Sequence, residues 1–124
     1  MYFGLSEEQQ FFQESINKFL EDNVTVDALK AYRTGENKDL NKTVYNGLNE
    51  LGLSSLIVPE EFGGLGLDSL FAISVSESLG KGVAPYPFIG SFLIAPFLID
   101  QLGNESQKEK YLPGIATGEN RFGV

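Results

Sequence analysis

Residues 88–102, FIGSFLIAPFLIDQL, form an almost unbroken apolar run interrupted only at Gly90, Ser91, Pro96, Asp100 and Gln101. A helix this apolar has no polar face wide enough to meet water, so it belongs in a core. It is also too short for a membrane span, which needs roughly 20 predominantly apolar residues. The run therefore reads as a buried core helix. Pro96 removes one helical hydrogen bond and crowds the preceding turn. The run therefore either kinks there or starts a new helix near Ala95, and Gly103 closes it.

The rest of the chain supplies helices to pack against that core. Ser6 followed by Gln9 is a capping-box start. After it, Phe12, Ile16, Phe19 and Leu20 fall on one stripe of a first helix ending near Asp22. A short helical piece is expected at 27–32, followed by a loop. Asp39 can open a further helix, on which Leu40, Val44, Leu48 and Leu51 align. Gly52 can take the left-handed conformation after it. LSSLIVP reads as one short extended segment closed by Pro59. Asp68 and Gly80 bracket another helix, whose apolar and small side chains predict close burial. The connector GKGVAPYPF is rich in turn residues. Asn104 with Gln107 opens a last helix that Thr117 and Gly118 stop, and the terminal ENRFGV resembles the beginning of a strand. No internal repeat or linker interrupts the pattern, which predicts an all-α fold, an orthogonal bundle of about five or six helices, as one domain over residues 1–124.

Composition narrows the chemistry. The chain has no cysteine and no histidine, which excludes disulfides, thiolate chemistry and both Ser–His–Asp and Cys–His triads. Without these residues only carboxylates remain as common zinc ligands, so no metal site is expected. A formal net charge of −8 repels phosphate backbones and acidic lipids, so neither nucleic acid nor membrane is an expected partner. MYFGLSEEQQ lacks the basic and apolar regions of a secretory signal, and a cytoplasmic location is expected.

VPEEFGGLGL is the most glycine-dense part of the chain, and GLGLDS nearly spells a dinucleotide fingerprint. Its sixth position is serine and no long strand precedes it; the fingerprint requires glycine or alanine and a strand. No Gly-Lys-Ser/Thr follows either, so these glycines read as turn residues. The pairs Glu7–Glu8 and Glu60–Glu61 point their carboxylates apart. Glu7 and Glu8 suit the first turn of a helix, where the macrodipole favours acids. Lys108 and Lys110 read as surface charge. No catalytic or cofactor-binding residue is assigned. One ligand feature remains: Gly90, Ser91 and Ala95 leave room beside aromatic walls, so the 88–97 region can line an apolar cleft.

Four stretches in order, FGLSEEQQFFQESINKFLEDNV, LNELGLSSLIVPEEFGGLGLDSL, SESLGKGVAPYPF and LGNESQKEKYLPGIATGE, together resemble the N-terminal helical domain of the acyl-CoA dehydrogenases. The resemblance covers nearly the whole chain, although residues 23–38 do not add to it. It implies an oxidoreductase that introduces a double bond between Cα and Cβ of an acyl-CoA, with FAD as hydride acceptor and an electron-transfer flavoprotein as the next partner. It also implies that the flavin and the glutamate base are held mainly by a middle β-domain and a C-terminal helical domain outside these residues. This chain alone is then expected to retain no FAD and to be inactive, working with remaining domains or subunits in a homo- or hetero-oligomer. What the resemblance assigns to this domain is part of the acyl-chain wall, at Phe88, Ser91, Phe92 and Ala95. Two alternatives share these residues: a related acyl-CoA oxidase or flavin monooxygenase, and a non-catalytic helical module that packs on a partner subunit.

Overall fold

A computed structural model describes residues 4–124; the first three residues of the MYFGLSEEQQ stretch lie outside it. Six α-helices are present and no β-strand occurs among the described residues. They are α1 (Glu7–Asn23), α2 (Val26–Thr34), α3 (Leu40–Glu50), α4 (Ser69–Lys81), α5 (Ala95–Leu102) and α6 (Glu105–Ala116). A 3-10 turn, Glu60–Phe62, and a π-helix, Phe88–Ile94, complete the secondary structure. The all-α reading holds. The chain divides into two compact units, with boundaries after Gly47 within α3, after Ala72 within α4 and after Tyr86.

The first unit comprises the chain up to Gly47 together with Ile73–Tyr86. Ser6 opens α1 with the full reciprocal capping box, its side chain and that of Gln9 each accepting the other's backbone N–H. Ile16 and Leu20 from α1, Leu40 and Val44 from α3, and Val75 and Leu79 from α4 are buried. Gln13 ties α1 to α4 by donating to the Ser74 carbonyl at 3.1 Å and to Glu77 at 3.3 Å. The helix expected at 27–32 is longer, capped by the Thr25 side chain and ending at the left-handed Gly35.

Helix α4 departs from expectation twice. It is not buried all round, because Ile73 is 64% exposed while Ser74, Val75, Ser78 and Leu79 of the same helix are enclosed. It also passes Gly80 and ends after Lys81. The terminating pair of bonds runs from Val83 N–H to Gly80 O (3.2 Å) and from Ala84 N–H to Leu79 O (3.0 Å), a Schellman arrangement. Its left-handed position is filled by Val83 at φ +51, where a β-branched residue is strained. Glycine is required one step earlier for a different reason: a Cβ on Gly82 would sit 2.5 Å from Leu20 Cδ1.

The second unit comprises Leu48–Ala72 and Pro87–Val124. LSSLIVP is not extended; residues 51–58 form consecutive turns and bends that bury Leu53, Leu56 and Val58. The segment folds this way because the following glycine-rich loop turns back onto it. Leu65 N–H bonds Ser55 O (2.8 Å), Gly66 N–H bonds Val58 O (2.9 Å) and Leu67 N–H bonds Leu56 O (2.9 Å). At residues 88–102 the chain takes the second of the two courses open to it, since α5 begins at Ala95 with Pro96 in its first turn. What precedes it is a widened turn whose Ala95 N–H reaches back five residues to Gly90 O. The run is not the buried core helix expected, because only one side of it is enclosed: Phe88, Phe92 and Ala95 are buried while Ile89, Phe97 and Leu102 are 51%, 56% and 79% exposed. Helix α6 opens with the Asn104–Gln107 capping box and packs against α5 and the 3-10 turn. Residues 121–124 carry no assigned strand.

Candidate functional site

A cleft of about 240 Å³ in the second unit is lined by Ile57, Leu67, Leu93 and Phe97, with Asp68, Ser69, Asp100 and Gln101 completing it. Two local features of the sequence build it. The glycine-rich loop brings Leu67 back over the 51–58 turns, and the change from π-helix to α-helix presents Leu93 and Phe97, four residues apart, on one side. Phe97 stays 56% exposed. Both carboxylates are already engaged. Asp68 caps α4 by accepting the Phe71 N–H at 3.1 Å, and Asp100 accepts from Gln101 Nε2 at 3.0 Å. The arrangement can hold an apolar group but offers no acid–base pair. Its volume lies below the roughly 300–1,000 Å³ of drug-sized sites, which suits a short aliphatic segment better than a nucleotide.

Phe88, Ser91, Phe92 and Ala95 lie on the same π-helix and at the start of α5, and all four are buried. None of them is among the residues that line the cleft. Ser91 spends its hydroxyl on the Phe122 carbonyl, at 2.8 Å. Leu93 and Phe97, which do front the cleft, were not singled out from the sequence. A nearly all-apolar helix has no polar face to reveal which side is which, and only their spacing of four could have pointed to them.

Two other cavities are of similar size. One of about 270 Å³ runs beside α5 and α6, between Leu98, Leu102 and Tyr111. One of about 250 Å³ in the first unit is lined mainly by aliphatic groups, among them Leu20, Val24, Val26, Leu29 and Val83. The half-buried Tyr86 phenol, 5.7 Å between ring centroids from Tyr45, is pushed well above its ordinary value by desolvation, with the Tyr45 charge adding. It therefore stays protonated and supplies no base. Among the described residues no group of His, Cys, Asp and Glu is placed to hold a metal ion, and no helix is long and apolar enough to cross a membrane.

The glycine-rich loop is excluded as a phosphate cradle on geometric grounds. Such a cradle needs backbone N–H groups free to point at the anion. Here every N–H from Phe62 to Leu67 is donated inside the loop, to Pro59, Glu60, Pro59, Ser55, Val58 and Leu56 in turn.

Comparison with known proteins gives one consistent result. The family model described as "Acyl-CoA dehydrogenase, N-terminal domain" matches residues 6–119. Mitochondrial isovaleryl-CoA dehydrogenase from Pongo abelii is 34% identical over 119 residues, covering 94% of this chain and 28% of its own length. A solved steroid ACAD variant superimposes with a TM-score of 0.81 at 30% identity, covering 95% of this chain and 32% of the other. An acyl-CoA dehydrogenase from Bacillus anthracis, solved in complex with FAD, gives a TM-score of 0.70 at 30% identity, covering 94% of this chain and 20% of the other. The chain thus spans less than a third of the length of these relatives. None of the three cavities, at about 240–270 Å³, is large enough for FAD, and the loop amides are consumed.

Proposed function

Because this chain belongs to the acyl-CoA dehydrogenase family, by a match to the N-terminal domain over residues 6–119, we propose that it serves as the acyl-chain-facing helical domain of an FAD-dependent acyl-CoA dehydrogenase. The observation that carries this reading is the apolar cleft walled by Ile57, Leu67, Leu93 and Phe97. In that role Leu93 and Phe97 front the acyl tail, while Phe88, Ser91, Phe92 and Ala95 form the buried part of the wall that holds them in place. FAD, when bound by the complete polypeptide, supplies the hydride acceptor. In this reading the flavin site and the glutamate base come from residues outside this domain, and the two cleft carboxylates, Asp68 and Asp100, are engaged in hydrogen bonds. Electrons then leave through an electron-transfer flavoprotein.

The test is the acyl-chain-length profile of the flavoenzyme carrying this domain. Phe97→Ala enlarges the cleft, and because a single methylene is worth roughly 10- to 200-fold in such pockets, the preference in kcat/KM should move toward longer chains by about tenfold or more. A profile from butanoyl- to dodecanoyl-CoA that is unchanged in Phe97→Ala and in Phe92→Ala would remove the cleft from substrate binding.

A further inference from the structure

Ser91 lies in the middle of the π-helix and is only 6% exposed. A serine in a helix ordinarily returns its hydroxyl to a carbonyl one turn back. Ser91 instead donates to the carbonyl of Phe122, 31 residues away, at 2.8 Å. Phe122 is held from a second side by Tyr111 of α6, edge to face with ring centroids 5.6 Å apart. Asn120 N–H is fixed by the Gly114 carbonyl at 2.9 Å, and the Val124 backbone lies beside Gly90, 3.6 Å from where a Cβ would stand. Residues 120–124 have no strand partner and fall beyond the matched 6–119 region. They are nevertheless placed by several specific contacts, and the Ser91 hydroxyl is one of them.

We infer that Ser91 is a positioning residue, which latches the segment following the family domain onto the helix that walls the cleft. The π-helix then has two duties. Leu93 fronts the cleft, and two residues earlier Ser91 fixes the path along which the chain leaves the domain. The Phe122 carbonyl accepts this bond in a partly buried setting. Losing the hydroxyl removes a neutral hydrogen bond, so the unlatched population should rise by about fivefold to tenfold.

The first arm of the test uses the 124-residue chain and does not depend on the proposed activity. In Ser91→Ala, the ¹⁵N order parameters of Arg121, Phe122 and Gly123 should fall below their values in the parent chain, and the Phe122 carbonyl ¹³C shift should move. Ser91→Thr, which keeps the hydroxyl, should restore both, while amides in α1 stay unchanged in all variants. Unchanged order parameters and carbonyl shift in a folded Ser91→Ala chain overturn the latch. The second arm rests on the reading of the cleft and uses the flavoenzyme. Ser91→Ala should lower kcat at every acyl-chain length, with Ser91→Thr recovering it. A kcat unchanged in Ser91→Ala would reject the latch as a feature of the flavoenzyme. The latch holding in the first arm while Phe97→Ala leaves the profile flat would instead reject the cleft alone.

Discussion

Gly63 and Gly64 are neighbours required for different reasons, and substituting each by alanine separates those reasons. Gly63 has φ +86 and nothing within 4 Å of where a Cβ would stand. Gly63→Ala therefore incurs only the left-handed backbone penalty of about 1–2 kcal/mol, reduced by a smaller loss of unfolded-chain entropy, for a net cost of about 1 kcal/mol. At Gly64 a Cβ would fall 1.8 Å from the Val58 carbonyl oxygen and 2.4 Å from its carbon. Both are backbone atoms, so no side chain can swing aside and the two strands of the loop must separate by roughly 1.5 Å, judged against ordinary contact distances of about 3.5 Å. That separation breaks the bond from Gly66 N–H to Val58 O and strains the one from Gly64 N–H to Pro59 O, at about 1 kcal/mol each. It also partly withdraws Val58, which is fully buried and worth about 1.5–3 kcal/mol when enclosed. Gly64→Ala should therefore cost about 3–4 kcal/mol, several times the effect at Gly63. Urea titration followed by far-UV circular dichroism measures both, with the slope checked for constancy. If Gly64→Ala costs no more than Gly63→Ala, the close approach is not what demands glycine there, and the reasoning fails.

Two further outcomes follow from buried polar groups. Ser78 Oγ is enclosed without a hydrogen-bond partner, whereas Ser54 Oγ donates to the Ala116 carbonyl at 2.9 Å. Ser78→Ala should raise stability by up to about 1 kcal/mol and Ser54→Ala should lower it by about 1–2 kcal/mol, and denaturant midpoints that move in the same direction would contradict this pairing. Desolvation by burial, with Tyr45 adding, raises the Tyr86 phenol. The unfolded phenol ionises near its ordinary value of about 10 while the folded one resists. The stability contribution is thus intact below about pH 10 and is lost progressively as pH rises above it, with a limiting slope of about 1.4 kcal/mol per pH unit. Tyr86→Phe should flatten that alkaline decline, and an unaltered slope would assign it to other groups.

Much of the fold was legible because its signals are local. Ser6 with Gln9 and Asn104 with Gln107 form the reciprocal caps their spacing predicts. Ile16, Leu20, Val44 and Leu48 are buried where their periodicity places them. The features that escaped depend on contacts distant in sequence or on helix phase. LSSLIVP looks extended until the returning loop donates three amides to it. Helix α4 runs past Gly80 to Lys81 and has Val83, not a glycine, at its left-handed position, while Leu20 crowds Gly82. The apolar run could not disclose which of its residues front a cleft, because a turn closed over five residues shifts the phase on which periodicity arguments rest.

The loop that returns residues 64–67 onto residues 55–59 also bears on the order in which the chain folds. Its bonds join partners only about ten residues apart, and loops of that length close in about 10–100 ns. The contacts between Ser54 and Ala116 and between Gln13 and Ser74 span 62 and 61 residues, and each extra doubling of the closed length adds about 0.6 kcal/mol of entropy cost. The glycine-rich turn is therefore suited to form early and to serve as a nucleus against which later helices dock. On that view the loss caused by Gly64→Ala falls mainly on the folding rate and leaves unfolding nearly as slow as before.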